Sequence, residues 1–238
     1  MNLGEKNLIP TEEERKKRYE EYLKKRQEMD GYQEYEPIKP ASAADMRSGV
    51  IVSHLLDKDE EYKRGLIREK LGERVTERFM EWLEYRQYYE CPAAKSHHGN
   101  YKGGLFKHSV KVAEELEILT DQLGLHWQRP ESPWVVGLLH DVCKTDDYDW
   151  EFPDNYYVCP SRIDINKNKE YSGHGSKSVI MLASYFPLTE EEKMCIVYHM
   201  GAFTDKEEWE FYSRAVKMYP NVLYTHTADM IASNIKGV

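Results

Sequence analysis

The segment that decides the fold covers residues 134–141 and reads Trp-Val-Val-Gly-Leu-Leu-His-Asp. Its unbroken apolar run predicts a buried helix, which opens at Ser132-Pro133 because serine caps helices and proline suits the first helical position. The run ends in His140-Asp141, and a buried imidazole beside a carboxylate costs free energy unless another group pairs with them. A metal ion is a common partner for these side chains. The segment therefore predicts a core helix that delivers metal ligands.

Helical signals also dominate the chain on both sides of this segment. Between Leu105 and Leu123, leucine and valine recur at helical spacing, and His108 falls on the same apolar face. Thr189 and Glu192 have the spacing of a capping box, which predicts the start of a helix that ends in His199. The fold class predicted from these patterns is all-α, a helical bundle.

Three parts of the chain differ from these long apolar helices. Residues 1–40 are expected to form a charged helix, at 11–29, followed by a linker. Residues 43–89 have helical character with breaks near Asp57 and Gly72. Near residues 150–172 the helical pattern is lost, which predicts a small β-hairpin or an irregular insert. One domain is expected over residues 41–238.

Composition limits the partners of the chain. With 33 Lys and Arg against 42 Asp and Glu, the formal net charge is -9, so a general electrostatic grip on nucleic-acid backbones is not expected. We therefore expect no long duplex nucleic acid as a partner. No stretch approaches the ~20 apolar residues that cross a bilayer, so no membrane partner is expected either.

The cysteines indicate a reducing compartment. They are four in number, widely spaced and without a Cys-x-x-Cys pair, which is typical of free thiols rather than of a disulfide framework or a zinc ribbon. A cytoplasmic location is the expectation that follows. The sequence does not indicate an oligomeric state.

Polar residues recur in a characteristic order at the predicted helix positions. The order consists of His108, then His140-Asp141 within the stretch 138–144 (LLHDVCK), then Gly173-His174, Tyr198-His199 and Thr227-Ala228-Asp229. This order resembles the HD-domain superfamily of metal-dependent phosphohydrolases. Upstream, residues 94–108 (AKSHHGNYKGGLFKH) resemble the subgroup that includes the HD domains of bacterial 3′-to-5′ exoribonucleases. The resemblance covers residues 91–234.

The resemblance implies a set of metal ligands. One divalent ion would be held by His108, His140, Asp141 and Asp229, and a second by His174 and His199 with Asp141 as the bridge. Nitrogen and oxygen ligands together suit Mn, Fe, Co, Ni or Zn, and Mg is also allowed. One or two ions are therefore the expected cofactor.

The resemblance also implies groups that meet the substrate. Asp141 is expected to act in catalysis, and Lys144, about one helical turn further on, to reach a phosphate oxygen. Contacts with the substrate are expected from Lys95, His97 and His98, which an ordinary solvated loop would explain equally well. Apart from the resemblance, chain connectivity keeps the insert close to the metal site, so Arg162 can bind a phosphate through its planar guanidinium; the alternative is a hairpin that only covers the core.

Two features depart from the family. Family members often have glycine before the lysine, where this chain has Cys143. The exoribonucleases carry a separate nucleic-acid-binding domain, and no basic module interleaved with aromatic residues is present here. Processive degradation of RNA is therefore disfavoured.

Three functional hypotheses follow. The first is a phosphohydrolase in which metal-bound hydroxide cleaves a phosphoester of a nucleotide, a cyclic nucleotide or a short oligonucleotide. The second is a catalytically silent module with the same fold that senses a nucleotide or binds a partner. The third is an all-α scaffold whose histidines are structural.

Overall fold

The computed structural model describes residues 60–96, 99–151 and 162–237. The charged helix predicted within residues 1–40, the break near Asp57, and His97 and His98 lie outside the described residues. So does Cys159. The three cysteines within the described residues are free and buried, namely Cys91, Cys143 and Cys195.

Helices account for most of the described residues. They are α1 (Glu60–Leu71), α2 (Glu77–Tyr85), α3 (Gly104–Leu123), α4 (Ser132–Leu139), α5 (Lys144–Asp147), α6 (Gly175–Leu182), α7 (Glu190–Val197), α8 (Trp209–Met218) and α9 (Asn221–Met230). Short 3₁₀ helices cover Gly72–Arg74, Gly201–Phe203 and Lys206–Glu208, and a π-helical turn, Ile231–Ile235, follows α9. The prediction of an all-α fold is confirmed.

The insert between α5 and α6 contains a small β-hairpin. Strands β1 (Tyr148–Glu151) and β2 (Arg162–Ile165) pair antiparallel, with Tyr148 opposite Ile165 and Glu151 opposite Arg162. Of the two forms predicted for the insert, the hairpin is the one observed. It lies directly after α5, close in the chain to the His140-Asp141 segment.

Helix α3 supplies much of the core. Leu105, Val112 and Leu116 are fully buried, as the helical spacing predicts, whereas Leu123 is 54% exposed in the last turn. His108 lies on the buried face with 3% exposure. The break predicted near Gly72 is also present, because α1 ends at Leu71 and Gly72 has a φ of 62°.

Helices α3 and α4 cross at a glycine. A Cβ atom on Gly137 would lie 2.4 Å from the Cα atom of Ala113, far inside van der Waals contact. The missing side chain at Gly137 therefore lets the two backbones approach closely. This crossing sets the separation of His108, on α3, from His140, at the end of α4.

The start of α4 differs from the prediction. The helix begins at Ser132 itself, and no side chain caps it. The Ser132 hydroxyl instead donates to Glu192 Oε1 at 2.8 Å. The Ser132 side chain is directed at this buried carboxylate, and its oxygen accepts no hydrogen bond from the first amides of α4, so the predicted cap does not form. Pro133 does occupy the first turn, as predicted.

Glu192 joins three parts of the bundle. It completes the predicted capping box of α7, since Thr189 N donates to Glu192 Oε2 and Glu192 N donates to Thr189 Oγ1. Arg74 donates to both of its carboxylate oxygens, at 2.7 and 2.6 Å. The 3₁₀ helix that follows α1, the first turn of α4 and the first turn of α7 are thereby held together.

None of the helices within the described residues is both long and apolar enough to cross a membrane.

Candidate metal centre

Six side chains from separate elements meet inside the bundle. His108 comes from α3, and His140 and Asp141 follow α4 directly. His174 precedes α6, His199 lies in the turn after α7, and Asp229 is in the last turn of α9. Helix α7 ends at Val197, two residues before His199, so this histidine is in a turn and not in the predicted helix. The structure brings together every ligand that the resemblance implies.

One end of the cluster is formed by two histidines and Asp229. His108 Nε2 lies 3.2 Å from Asp229 Oδ1 and 3.3 Å from His140 Nε2. Ligand atoms at ~2.1 Å from one ion are themselves about 3–3.5 Å apart in a tetrahedral site. The spacing of these three atoms therefore fits a single ion.

The other end is formed by the remaining two histidines. His174 Nε2 lies 3.1 Å from His199 Nε2 and 3.0 Å from Asp141 Oδ1. His199 Nε2 lies 3.5 Å from the same oxygen. These atoms too have the mutual spacing of ligands to one ion.

Asp141 lies between the two ends. Its Oδ1 faces His174 and His199, whereas its Oδ2 lies 3.6 Å from His140 Nε2 and 4.0 Å from His108 Nε2. Each carboxylate oxygen thus faces a different pair of histidines. A carboxylate in this arrangement can bridge two cations.

Asp141 Oδ1 lacks a hydrogen bond. This oxygen is buried and accepts none from the described residues, although two imidazole nitrogens lie close to it. Buried polar atoms are rarely left unsatisfied, because the loss of their hydration costs free energy. A cation at this position would satisfy the oxygen.

The backbone fixes the orientation of two of the rings. His140 Nδ1 donates to Gly137 O at 2.9 Å, and His199 Nδ1 donates to Ile196 O at 2.7 Å. A carbonyl oxygen can only accept, so the proton must lie on Nδ1 in both rings. The Nε2 lone pairs of neutral rings then point into the cluster, as metal ligation requires.

The protonation states of the buried side chains in the cluster also suit a bound cation. Burial lowers the pKa of His140 to about 4, so its ring is neutral at physiological pH. Burial alone would raise the pKa of Asp141, but Lys144, His140 and His174 hold it well below its ordinary value. Burial would likewise raise the pKa of Asp229, and His108 and His140 lower it instead.

His199 differs from His140. Burial alone would lower its pKa, but Asp141 and Asp229 outweigh burial and raise it. The negative charge of the two carboxylates thus favours positive charge at or beside this ring. A metal ion would supply that charge.

A cavity of about 360 Å³ opens onto the cluster. Its wall includes Ala93, Ala94, His108, Asp141, Lys144, His174, His199, Met200, Asp229 and Ser233. Lys144 Nζ lies 5.8 Å from the centroid of the Tyr148 ring and forms no hydrogen bond or ion pair with another described residue. Burial alone would lower the pKa of Lys144, but Asp141 raises it, so the ammonium is charged.

Two of the other residues expected to contact the substrate, Lys95 and Arg162, lie outside the wall of this cavity. Lys95 Nζ lies 3.6 Å from Asp164 Oδ1, and Arg162 donates to the same carboxylate. Within the described residues, neither belongs to the wall of the cavity. Ala93 and Ala94, from the loop that carries Lys95, do belong to it.

Sequence reasoning missed a buried ion cluster next to the centre. Lys177, on α6, is completely buried, and its Nζ lies 2.6 Å from Asp146 Oδ2 and 2.9 Å from Asp147 Oδ1. This contact fastens α5, which carries Lys144, to α6. The adjacent acids in Asp146-Asp147 were visible in the sequence, but nothing there indicated which lysine would pair with them.

Two further residues contact the ligand histidines. Cys143 Sγ lies 3.3 Å from His174 Nδ1. His226 Nδ1 donates to the carbonyl of His199 at 2.9 Å, and its ring packs against Gly201. Sequence reasoning noted Cys143 only as a departure from the family.

The buried groups of His, Asp and Cys side chains described here can hold a metal ion. Comparisons of the chain with protein-family models, with curated proteins and with solved structures gave no match, so the interpretation of this centre depends on its own geometry.

Proposed function

We propose that the protein is a metal-dependent phosphohydrolase of the HD-domain type. The observation that supports this most strongly is the position of Asp141, whose two oxygens face two separate groups of histidines. When bound, two divalent ions at such a centre would supply hydroxide at neutral pH and neutralise charge on a phosphoryl group. Histidine and carboxylate ligands suit Mn, Fe, Co, Ni or Zn.

Lys144 gives the centre its proposed selectivity for a phosphate. Its charged ammonium lies in the wall of the same cavity as Asp141 and has no ion-pair partner among the described residues. Lys144 is partly buried, and removing a charge from water without giving it a partner is costly. A phosphate oxygen of the substrate would supply the missing partner and would be held beside the cluster.

The cavity favours a small substrate. Its volume of about 360 Å³ is near the lower end of the ~300–1,000 Å³ of small-molecule sites. The formal net charge of -9 argues against a long polyanion. We propose a nucleotide, a cyclic nucleotide or a short oligonucleotide as the substrate class.

A substrate screen tests this proposal. The full chain, loaded separately with Mn²⁺, Fe²⁺, Co²⁺, Ni²⁺ and Zn²⁺, is assayed on phosphomonoesters, cyclic nucleotides and short RNAs. Lys144→Ala is expected to lower kcat/KM by roughly 10²–10³-fold, because a group that meets charge in the transition state is lost. Lys217→Ala, an exposed lysine on α8, is the matched control and should retain activity.

Two outcomes would count against hydrolysis. Absence of turnover by metal-loaded protein on the whole panel is one. Thermal stabilisation by a nucleotide that is recovered uncleaved is the other, and it would favour the nucleotide-sensing module. Equal loss of activity in Lys144→Ala and Lys217→Ala would remove Lys144 from the proposed site.

A further inference from the structure

Three histidines of the centre share one arrangement. Each directs Nε2 into the cluster and holds Nδ1 against another group. For His140 and His199 that group is a carbonyl three residues earlier in the chain, Gly137 O and Ile196 O. For His174 it is a sulfur atom, Cys143 Sγ at 3.3 Å.

The difference has a structural reason. His140 and His199 each follow a helix, so a carbonyl of the last helical turn is within reach of the ring. His174 instead precedes α6, with a φ of -130° and a ψ of -89°. No preceding helical turn can offer His174 a carbonyl, and its partner must come from another segment.

Cys143 is well placed to be that partner. Its side chain is completely buried, and its backbone N donates to Ser178 Oγ on α6 at 3.1 Å. The turn that carries Cys143 is thereby attached to the helix that His174 precedes. Sulfur accepts a hydrogen bond weakly, but burial keeps the Cys143 acceptor out of bulk solvent, and such a bond is stronger in the protein interior than in water.

His174 depends on such a partner more than the other rings do. Its side chain is 29% exposed, against 0% for His140 and 1% for His199. Packing therefore restrains His174 least. Its Nδ1 contacts Cys143 Sγ, and its Nε2 lies 3.0 Å from Asp141 Oδ1.

We propose that Cys143 is a positioning residue for His174. Its sulfur accepts a hydrogen bond from Nδ1–H and directs Nε2 toward Asp141 Oδ1, and it thereby sets the affinity for a cation at the end formed by Asp141, His174 and His199. The end formed by His108, His140 and Asp229 does not depend on it. The inference rests on the proposed metal centre, but not on phosphoester hydrolysis.

Calorimetric titration of the full chain with Mn²⁺ tests the proposal. Cys143→Ala is expected to keep one tight equivalent unchanged and to weaken the second by about 10–100-fold, the cost of losing an orienting partner. Cys143→Ser, whose hydroxyl also accepts a hydrogen bond, should restore most of the affinity. Cys195→Ala removes another buried thiol, on α7, and should leave both equivalents unchanged.

Spectra of the unsubstituted protein test the role of Cys143 even if the alanine variant does not fold. Nitrogen-15 NMR is expected to show His174 with its proton on Nδ1, and the Co²⁺ form should lack a sulfur-to-cobalt charge-transfer band. Such a band would identify Cys143 as a direct ligand and overturn the proposal. The absence of a second bound equivalent of Mn²⁺ would also overturn it. Equal weakening of that equivalent by Cys143→Ala and Cys195→Ala would do the same. Absence of hydrolysis would affect the proposed function but not these readouts.

Discussion

Asp141 has a different position from every other acidic residue of the centre, because it alone faces both groups of histidines. Its Oδ2 lies near His108 and His140, and its Oδ1 near His174 and His199. A single carboxylate thus couples the two ends electrostatically. Changing this one residue should affect both ends together, whereas changing Asp229 or His174 should affect one end first.

Asp141→Asn is expected to weaken metal binding at both ends by more than the roughly 10–100-fold that follows loss of an orienting partner. The amide retains the shape of the side chain but not its charge. Metal content after dialysis, measured by elemental analysis, gives the result. Asp149→Asn, an exposed acid on β1, is the control. Full metal content in Asp141→Asn would mean that this carboxylate is not a ligand.

The lowered pKa of Asp147 leads to a prediction of how the free energy of unfolding varies with pH. Burial alone would raise its pKa, but ion pairs with Lys177 and Lys169 lower it. A carboxylate with a lowered pKa adds stability above its unfolded-state pKa of about 3.9, and that stability is lost as the pH falls through the folded-state value.

Asp147→Asn is therefore expected to be less stable than the unsubstituted protein at neutral pH, by no more than about 1 kcal/mol because the group is partly exposed. The difference should narrow as the pH falls below about 4. Urea unfolding between neutral and acidic pH measures it. A difference that is constant with pH would show that the ion pairs do not contribute.

Residue identities in the sequence were sufficient to pick out the six side chains that meet in the candidate centre, but not the groups that contact and orient them. His108, His140 and Asp229 stand out because polar residues at core positions need partners. Cys143 and Lys177 do not stand out, since a lone cysteine or lysine has many ordinary roles. Their contacts with His174 and Asp146 depend on how α6 packs against the turn after α4, which no local pattern encodes.

At the scale of elements, the crossing of α3 and α4 matters most for the site. Helix α3 carries His108 and α4 is followed by His140, so the distance between the helices decides whether the two Nε2 atoms meet at 3.3 Å. Gly137 permits this approach because a Cβ atom there would overlap Ala113.

Gly137→Ala is expected to destabilise the protein by about 1–3 kcal/mol or more through overpacking, and to weaken metal binding by moving His108 away from His140. Gly65→Ala is the matched control. A Cβ atom on Gly65, within α1, would meet nothing within 4 Å, so alanine there should stabilise the helix by roughly 0.5–1 kcal/mol. Thermal unfolding and metal titration measure both effects. Similar behaviour of the two variants would contradict the close crossing.

Helical spacing and capping signals located most elements, but their ends depended on tertiary partners. The capping box at Thr189 was correctly predicted because both of its hydrogen bonds are local. The cap predicted at Ser132 was wrong, and the Ser132 side chain is directed instead at Glu192, sixty residues away in the chain, which accepts a hydrogen bond from its hydroxyl. The hairpin could be predicted only as an alternative, since β1 and β2 have four residues each.

At the scale of the whole molecule, the candidate centre draws together parts of the chain from His108 to Asp229. It joins α3, α9 and the segments next to α4, α6 and α7. Such a centre does not exist in the unfolded chain, so the free energy of metal binding adds to the free energy of folding.

Saturating Mn²⁺ is therefore expected to raise the thermal unfolding temperature. At a free concentration ~1,000 times Kd, the gain is about 4 kcal/mol. Scanning calorimetry with and without a chelator measures the shift, and Asp141→Asn should show little of it. An unchanged unfolding temperature at saturating metal would mean that the ion does not bind the folded state in preference to the unfolded one.

The contacts of Glu192 have a consequence for how this sequence can change over time. One carboxylate caps α7, pairs with Arg74 and accepts from Ser132. Replacing it alone would leave Arg74 only its more distant carboxylate, Glu131, and would leave the Ser132 hydroxyl without its acceptor, and replacing Arg74 alone would leave the buried acid without a cation. Among descendants of this chain, we expect positions 74, 132 and 192 to vary together or not at all.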